Sequence, residues 1–202
     1  MQKIDLNGAE VFLLPIVKGL VTDMEKVRKA YEEIGPDAMG ISISKEELTG
    51  LHNKADYENY EMSGLEEAYK DLLSTFGEVR LPAPGYVEAM DLAEEKGVPL
   101  IPIDMNEEDY SESYCRNVKG MDWMKENVFG GTLPRRKFLL TSPEAFAHDW
   151  DRKVNRSRGF RKLLQEREDR MIQSLRQMTT HYKRILVVIE SERMPGVAAR
   201  LK

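Results

Sequence analysis

Short apolar runs of strand length alternate along the chain with segments that begin and end like helices. The four runs cover residues 11–17, 38–43, 98–103 and 184–190. Runs of this length, separated by helical segments, are typical of a parallel sheet with helices on both faces. The sequence therefore predicts an α/β fold, with a mostly parallel or mixed central sheet flanked by helices.

Helix start and stop signals separate these runs. A Ser or Thr followed three positions later by Glu can form a capping box, in which each side chain bonds the other residue's backbone N–H. Three such pairs occur: Thr22 with Glu25, Ser44 with Glu47, and Ser63 with Glu66. Pro143 after Ser142 marks another helix start, and the predicted helix ends lie at Gly35, Gly77 and Gly97.

Two features modify this simple alternation. Pro99 and Pro102 remove backbone donors from the third run, which predicts an edge strand or a bulge there. Residues 106–182 contain no clear strand, so we expect a helical insertion that includes a long helix, with loops around Gly130 and Gly131. The 202 residues suit one domain spanning 1–202.

Composition narrows the class of protein. Charged residues make up 32% of the chain, and no apolar stretch approaches the roughly 20 residues of a membrane span. The first residues lack the apolar core of a signal peptide. A lone Cys115 excludes an internal disulfide. We therefore expect a soluble cytoplasmic protein that does not associate with membranes.

Charge is distributed unevenly along the chain. Residues 1–132 hold 13 Lys and Arg against 27 Asp and Glu, a net −14, whereas residues 133–202 hold 17 against 8, a net +9. Both parts read as folded, so pairing between them, within one chain or across a homodimer, accounts for the asymmetry. A basic run over 152–162 could contact phosphates, but the acidic balance of the chain argues against nucleic-acid binding.

One arginine interrupts the apolar stripe of the long helix. The stripe recurs at helical spacing and consists of Phe160, Leu164, Arg167, Met171, Leu175, Met178 and Tyr182. A guanidinium on a buried face needs a compensating partner. Arg167 therefore reaches out to solvent, pairs with Asp104 or Glu190, or faces an anion or substrate.

The last strand ends in a polar turn that contains Glu190 and Glu192. In open α/β sheets, ligands bind beyond the carboxyl ends of the strands, where two such carboxylates could serve as acid and base or simply lie in solvent. The histidines His52, His148 and His181 are isolated, without metal-ligand spacing. Phosphate-loop, dinucleotide and nucleophile-elbow motifs are missing from the sequence. We expect neither a metal nor a cofactor.

Several segments together resemble a known family. The first stretch begins with the apolar run 11–17, which predicts a strand. It continues with Met24-Glu25-Lys26-Val27, Ala30, Glu32-Glu33-Ile34, Pro36-Asp37 and Leu48. Later segments are Ala89, Ala93, Gly97, Ile103-Asp104, then Glu166-Arg167 with Met171, and finally Pro195-Gly196-Val197. In this order they resemble the TraB/PrgY-like proteins, which are similar to Tiki and erythromycin-esterase-like hydrolases. The resemblance implies an α/β scaffold with a metal-binding hydrolytic site.

The chain departs from that family where its metal site is expected. The resemblance places Lys18 and Arg193 at the two histidine positions, Ser42 at the strand-ending glutamate and Met105 at an arginine. A protonated lysine does not ligate a metal, and arginine does not do so in practice. The resemblance therefore implies a scaffold that has lost its metal chemistry.

These observations favour a non-catalytic binding or regulatory protein whose cleft holds a small anionic ligand. The candidate cleft residues are Lys18, Ser42, Asp104, Arg167, Glu190, Glu192 and Arg193. Two alternatives stay open. One is a metal-independent hydrolase or transferase that uses Lys18 or the Glu190/Glu192 pair. The other is a homo-oligomeric interaction module whose helices over 106–182 mediate a dimer.

Overall fold

A five-stranded mixed sheet forms the centre of the protein. The computed structural model describes residues 1–53, 61–122 and 137–201. The strands are β1 (Gln2–Leu6), β2 (Ala9–Ile16), β3 (Ala38–Ile41), β4 (Leu100–Pro102) and β5 (Arg184–Glu190). The helices are α1 (Asp23–Ile34), α2 (Lys45–His52), α3 (Gly64–Leu73), α4 (Pro84–Lys96), α5 (Glu107–Asn117), α6 (Pro143–Val154), α7 (Arg158–Met178) and α8 (Met194–Leu201).

The sheet confirms the predicted α/β class. Its strand order is β1-β2-β5-β3-β4, and β2, β5, β3 and β4 are parallel. All four predicted runs contain a strand. The third run is the short edge strand β4, as its prolines predict, because an edge position leaves one row of backbone groups without a ladder partner.

The hairpin at the start of the chain was not predicted. β1 pairs antiparallel with β2, from Gln2 opposite Leu13 to Leu6 opposite Ala9. The turn is Asn7-Gly8, and both residues have positive φ, 51° and 76°. Asn-Gly with this geometry is the preferred two-residue hairpin turn. That dipeptide was the available signal for β1, whose own residues are largely polar.

Helices cover both faces of the sheet. On one face, α1 and α4 pack against β2, β3 and β5, with Val27, Tyr86 and Ala89 almost fully buried. On the other face, the carboxyl-terminal half of α7 packs with α8, through residues such as Met171 and Leu175. Strand β5 is buried along six of its seven residues because it lies between both layers. Such a strand reads as a continuous apolar run.

The capping predictions were correct for two of the three boxes. Ser44 and Ser63 each accept from the backbone N–H three residues on and are bonded in return by Glu47 and Glu66. The Thr22 box was wrong. Thr22 already has helical dihedrals and makes no side-chain cap. The neighbouring Asp23 carboxylate instead accepts from Val17 N at 2.6 Å, which fixes the turn after β2.

A second, smaller core lies beyond the carboxyl end of β2. Helices α3 and α6 meet there around Phe146, which is fully buried. Its ring lies 5.1 Å from Tyr69, 5.8 Å from Trp150, 6.0 Å from Phe138 and 6.4 Å from Phe76, measured between centroids. Aromatic pairs at such distances add to the area they bury. We call α3 and α6 with this aromatic cluster the cap, because they cover the strand ends.

The stretch 106–182 contributes helices to more than one layer. Helices α5 and α6 and the first half of α7 lie beyond the sheet, whereas the second half of α7 packs on it. The predicted loops around Gly130 and Gly131 lie outside the described residues. Among the helices of the described residues, none combines the length and apolar composition that a bilayer-spanning segment needs.

Part of the charge asymmetry is compensated within the chain. Arg184 of β5 contacts Glu10 of β2 at 3.5 Å, and Arg167 of α7 contacts Asp104 after β4. In the basic run, Arg152 and Lys153 both bond the buried Asp149. The homodimer stays a prediction.

Candidate functional site

A crevice opens at the carboxyl ends of β2 and β5. The chain leaves β2 toward α1 on one face of the sheet and leaves the adjacent β5 toward α8 on the other. Divergence of this kind opens a cleft where ligands of α/β proteins bind. The two ends are held together because Ser191 N donates to the Ile16 carbonyl at 2.8 Å. Lys18, two residues after β2, and Glu190, the last residue of β5, both lie here.

Four alternating charges run across this crevice. Lys18 Nζ lies 3.8 Å from Glu190 Oε1 and 4.0 Å from Glu47 Oε1. Arg167 Nη2 lies 4.0 Å from Glu190 Oε2. Its Nε donates to Asp104 Oδ2 at 3.0 Å, and its NH2 group bonds the same carboxylate. The crevice floor is therefore the row Lys18, Glu190, Arg167, Asp104.

Of the three alternatives for Arg167, the structure shows the pairing, with Asp104 and, at a longer distance, with Glu190. The forked contact with Asp104 is the geometry in which a guanidinium binds a carboxylate most strongly. Burial acts to lower the pKa of Arg167, but Asp104 and Glu190 outweigh it and raise that pKa above its usual value. Burial also acts to lower the pKa of Lys18, and the carboxylates of Glu190 and Glu47 likewise raise it. Both cations therefore remain protonated at neutral pH.

Ser42 lies behind this row. Its side chain is almost fully buried. The Ser42 hydroxyl is 2.8 Å from the Tyr86 hydroxyl and accepts from Glu190 N at 3.1 Å. Burial raises the pKa of Tyr86 well above its usual value, so the phenol is neutral. Ser42 thus positions the end of β5 and does not line the cavities described below.

Arg193 connects the sheet to the helices above it. It is only 4% exposed, and its guanidinium contacts Asp151 of α6 and, at 3.4 Å, Glu168 of α7. Glu168 is also bonded by Arg200 of α8 at 2.6 Å. The Arg193 guanidinium is therefore paired within the protein, and its contact with Asp151 holds the cap against the end of β5.

Glu192 differs electrostatically from its neighbours. Burial and, next in size, the negative charge of Glu190 raise the pKa of Glu192 from the ordinary 4.5 to about 7. Its Oε2 accepts from the Ser191 hydroxyl at 3.1 Å. A carboxyl group with a pKa near neutrality inside a cleft can take up and release protons at physiological pH.

The raised pKa predicts how stability depends on pH. Folded Glu192 holds its proton more tightly than the unfolded chain does, so its stabilisation is present at pH 4.5 and below and is lost as the pH rises through 7. Glu192→Gln removes the cost of the buried charge. We expect it to raise the melting temperature by roughly 2 to 4 °C at pH 8 and to leave it nearly unchanged at pH 4, where both states hold the proton. The exposed Glu94→Gln is the matched control, and an equal gain at both pH values would contradict the assignment.

A cavity of about 420 Å³ lies between the row of charges and the cap. Its charged lining residues are Lys18, Glu66, Lys70, Asp151, Arg167, Glu190, Glu192 and Arg193. The remaining wall is mainly apolar and includes Leu65, Tyr69, Trp150, Val154, Leu163 and Leu164. We call this cavity the apolar chamber. Its volume falls in the range of small-molecule sites.

A second cavity of about 450 Å³ lies on the other side of the same row. It shares Lys18, Tyr110, Arg167 and Glu190 with the apolar chamber. Its other lining residues are Ser44, Glu47, Asp104, Met105, Glu107 and Ser111. Because nearly all of these are polar, we call it the polar chamber.

The chamber walls contain residues that the sequence did not reveal. Tyr69 and Trp150 face each other edge to face at 5.3 Å between ring centroids, and they belong to helices from different crossovers. Their helical spacing marks them as partly buried, but it does not show that α3 and α6 meet over the strand ends. Of the seven predicted residues, all but Ser42 line one or both chambers.

The described residues do not form a group of side chains that could bind a metal ion. Within 1–53, 61–122 and 137–201, no three side chains of His, Cys, Asp or Glu converge where they could ligate one.

No protein-family model matches the chain, and no curated protein matches it either.

Proposed function

We propose that the chain is a non-catalytic binding or regulatory protein that holds a small organic ligand in the apolar chamber. The observation that carries this proposal is the chamber itself, a cavity of about 420 Å³ whose walls are mainly aromatic and aliphatic and also include charged side chains. Ligand sites typically combine an apolar lining with a few polar groups that orient the ligand.

The charges around the chamber do not favour the anionic ligand expected from the sequence. Arg167 and Arg193 each contact two carboxylates, and Lys18 lies near Glu190 and Glu47. Among the described residues, the whole lining of the apolar chamber balances four cations (Lys18, Lys70, Arg167 and Arg193) against four carboxylates (Glu66, Asp151, Glu190 and Glu192), so an incoming anion meets no excess of positive charge. A ligand without net negative charge fits this balance better.

The degenerate TraB/Tiki-like scaffold also stays part of the proposal. Its support is positional, since Lys18, Ser42, Met105 and Arg193 follow or end the parallel strands β2, β3, β4 and β5 at one edge of the sheet. Residues at this edge would form the site of such a scaffold. None of these four side chains is a ligand type that a hydrolytic metal prefers.

Ligand enrichment tests the binding role. Val154 lines the apolar chamber at the end of α6, so Val154→Trp should fill part of it, whereas Arg161→Trp places the same ring at an exposed position of α7. We equilibrate the three proteins with a small-molecule extract and identify retained compounds by mass spectrometry. Wild type and Arg161→Trp should retain the same compound, with its mass unchanged after long incubation, and Val154→Trp should lose it.

Two results of this experiment would overturn the proposal. Equal retention by all three proteins would place the ligand outside the apolar chamber. Recovery of the compound with an altered mass would show turnover. The second result would favour a metal-independent hydrolase or transferase, for which the specific observation is Glu192, a cavity-lining carboxyl group with a pKa of about 7.

A further inference from the structure

The two chambers meet along one short boundary. Lys18, Arg167 and Glu190 line both, as does Tyr110. The chambers therefore adjoin at Lys18, Glu190 and Arg167 of the crevice floor and at Tyr110 of α5. A ligand that lies over this row can extend into both chambers at once.

The chambers differ in chemistry. The apolar chamber is walled by aliphatic and aromatic side chains such as Leu164 and Trp150. The polar chamber offers acceptor-only carboxylates from Glu47, Asp104, Glu107 and Glu190. It also offers donor-only cations from Lys18 and Arg167, and the hydroxyl of the exposed Ser111. A ligand that extends into both chambers would therefore place one part against apolar side chains and the other part among hydrogen-bond donors and acceptors.

The mixture of donors and acceptors selects the polar group. A phosphate or carboxylate would meet four carboxylates in the polar chamber, and an ammonium, which only donates, could not accept a hydrogen bond from Lys18 or Arg167. Hydroxyl groups both donate and accept, so an uncharged polyhydroxylated group can bond carboxylates and cations together. Buried polar groups need such partners when water is displaced.

We propose that the ligand is a two-part conjugate, with an aryl or alkyl group in the apolar chamber and an uncharged hydroxylated group in the polar chamber, joined over Lys18, Arg167 and Glu190. This inference rests on the proposed binding role of the apolar chamber and extends it to a ligand class. A glycoside with an apolar aglycone is the simplest compound of this kind.

Matched probes test the conjugate with the full-length protein. Phenethyl β-glucoside is compared with its parts, phenethyl alcohol and methyl β-glucoside, by titration calorimetry. Since linking two bound parts makes the second contact intramolecular, we expect the glucoside to bind about 100-fold tighter than phenethyl alcohol. Phenethyl phosphate and phenethylamine, which carry a charged group instead, should gain less than the glucoside.

Two variants separate the chambers. Ser111→Trp obstructs the polar chamber alone, and we expect it to bring the affinity for the glucoside down to that for phenethyl alcohol while binding of the alcohol is retained. Val154→Trp obstructs the apolar chamber and should abolish binding of both. Circular dichroism and thermal melting confirm that each variant folds, and the comparison of probes on the wild type stands without them.

The outcomes distinguish this inference from the proposed function. If phenethyl alcohol binds and Val154→Trp abolishes it, but the glucoside gains nothing, the conjugate is wrong and the binding role stands. A larger gain from the phosphate or the amine also overturns the conjugate as stated. If no phenethyl compound binds, the apolar chamber is not a ligand site and both proposals fail.

Discussion

Arg167→Met is expected to destabilise the protein by about 3 kcal/mol, because it removes the partly buried guanidinium and leaves the buried Asp104 carboxylate without its partner. The Asp104 side chain is 3% exposed and keeps no other cation within ion-pair distance in the described part of the chain. For a chain of this size, the loss corresponds to a melting temperature lower by roughly 6 to 12 °C. Chemical denaturation at pH 7 measures it directly.

Two controls test this prediction, one at another arginine of α7 and one at the partner residue Asp104. Arg161→Met makes the identical change at an exposed position and should cost about 0.5 kcal/mol or less. The double variant Arg167→Met, Asp104→Leu removes both charges, so it should recover more than half of the loss. If Arg167→Met is no more harmful than Arg161→Met, Arg167 does not stabilise the fold through its contact with Asp104.

Phe146→Ala is expected to destabilise the cap by about 3 to 5 kcal/mol, the usual cost of removing a fully buried aromatic ring. Phe146 contacts rings from α3, α6 and the segment before α6, so the cavity that the variant leaves lies at the centre of the cap. The sheet keeps its two main layers of packing. Hydrogen exchange should therefore show faster exchange in α3 and α6, with protection of β2 and β5 retained.

Phe146→Leu is the conservative comparison. Leucine refills most of the volume, so its effect on the free energy of unfolding should be clearly smaller than that of alanine. Loss of protection in β2 and β5 to the same extent as in α3 and α6 would contradict a cap with a core of its own. Ligand retention should fall with cap stability, because Tyr69 and Trp150 belong to the same aromatic cluster and line the apolar chamber.

The sequence predicted the fold class well because local signals there agree with the final packing. Strand β5 is apolar from Ile185 to Ile189 since both of its faces are covered, and the Ser44 and Ser63 caps depend only on residues three positions apart. The capping box predicted at Thr22 was wrong because contacts with residues outside the box determine the turn before α1. The turn after β2 is set by Asp23 and by backbone bonds to residues 78 and 80, so helical dihedrals begin before the expected cap.

The candidate site was predictable only along the strand ends. Glu190 follows a clear apolar run, and Arg167 breaks an apolar stripe, so both are visible without a structure. The burial of Ser42 behind the crevice and the occupation of Arg193 by Asp151 and Glu168 depend on how layers meet. The apolar wall depends on the same packing, since Leu65 and Val154 are ordinary helical residues until α3 and α6 come together.

The position of β5 also bears on how the chain is made. The strands β2 and β3 emerge from the ribosome early, yet β5 lies between them in the finished sheet and is translated last of the five. Until residue 184 has been synthesised, β2 and β3 have no shared neighbour, and their inner edges stay open to other partners. Folding of the sheet must therefore wait until β5 has been synthesised, as for other proteins dominated by distant pairings. Glu190 arrives with that strand, so a nascent chain acquires the crevice only after β5 has been synthesised and has paired with β2.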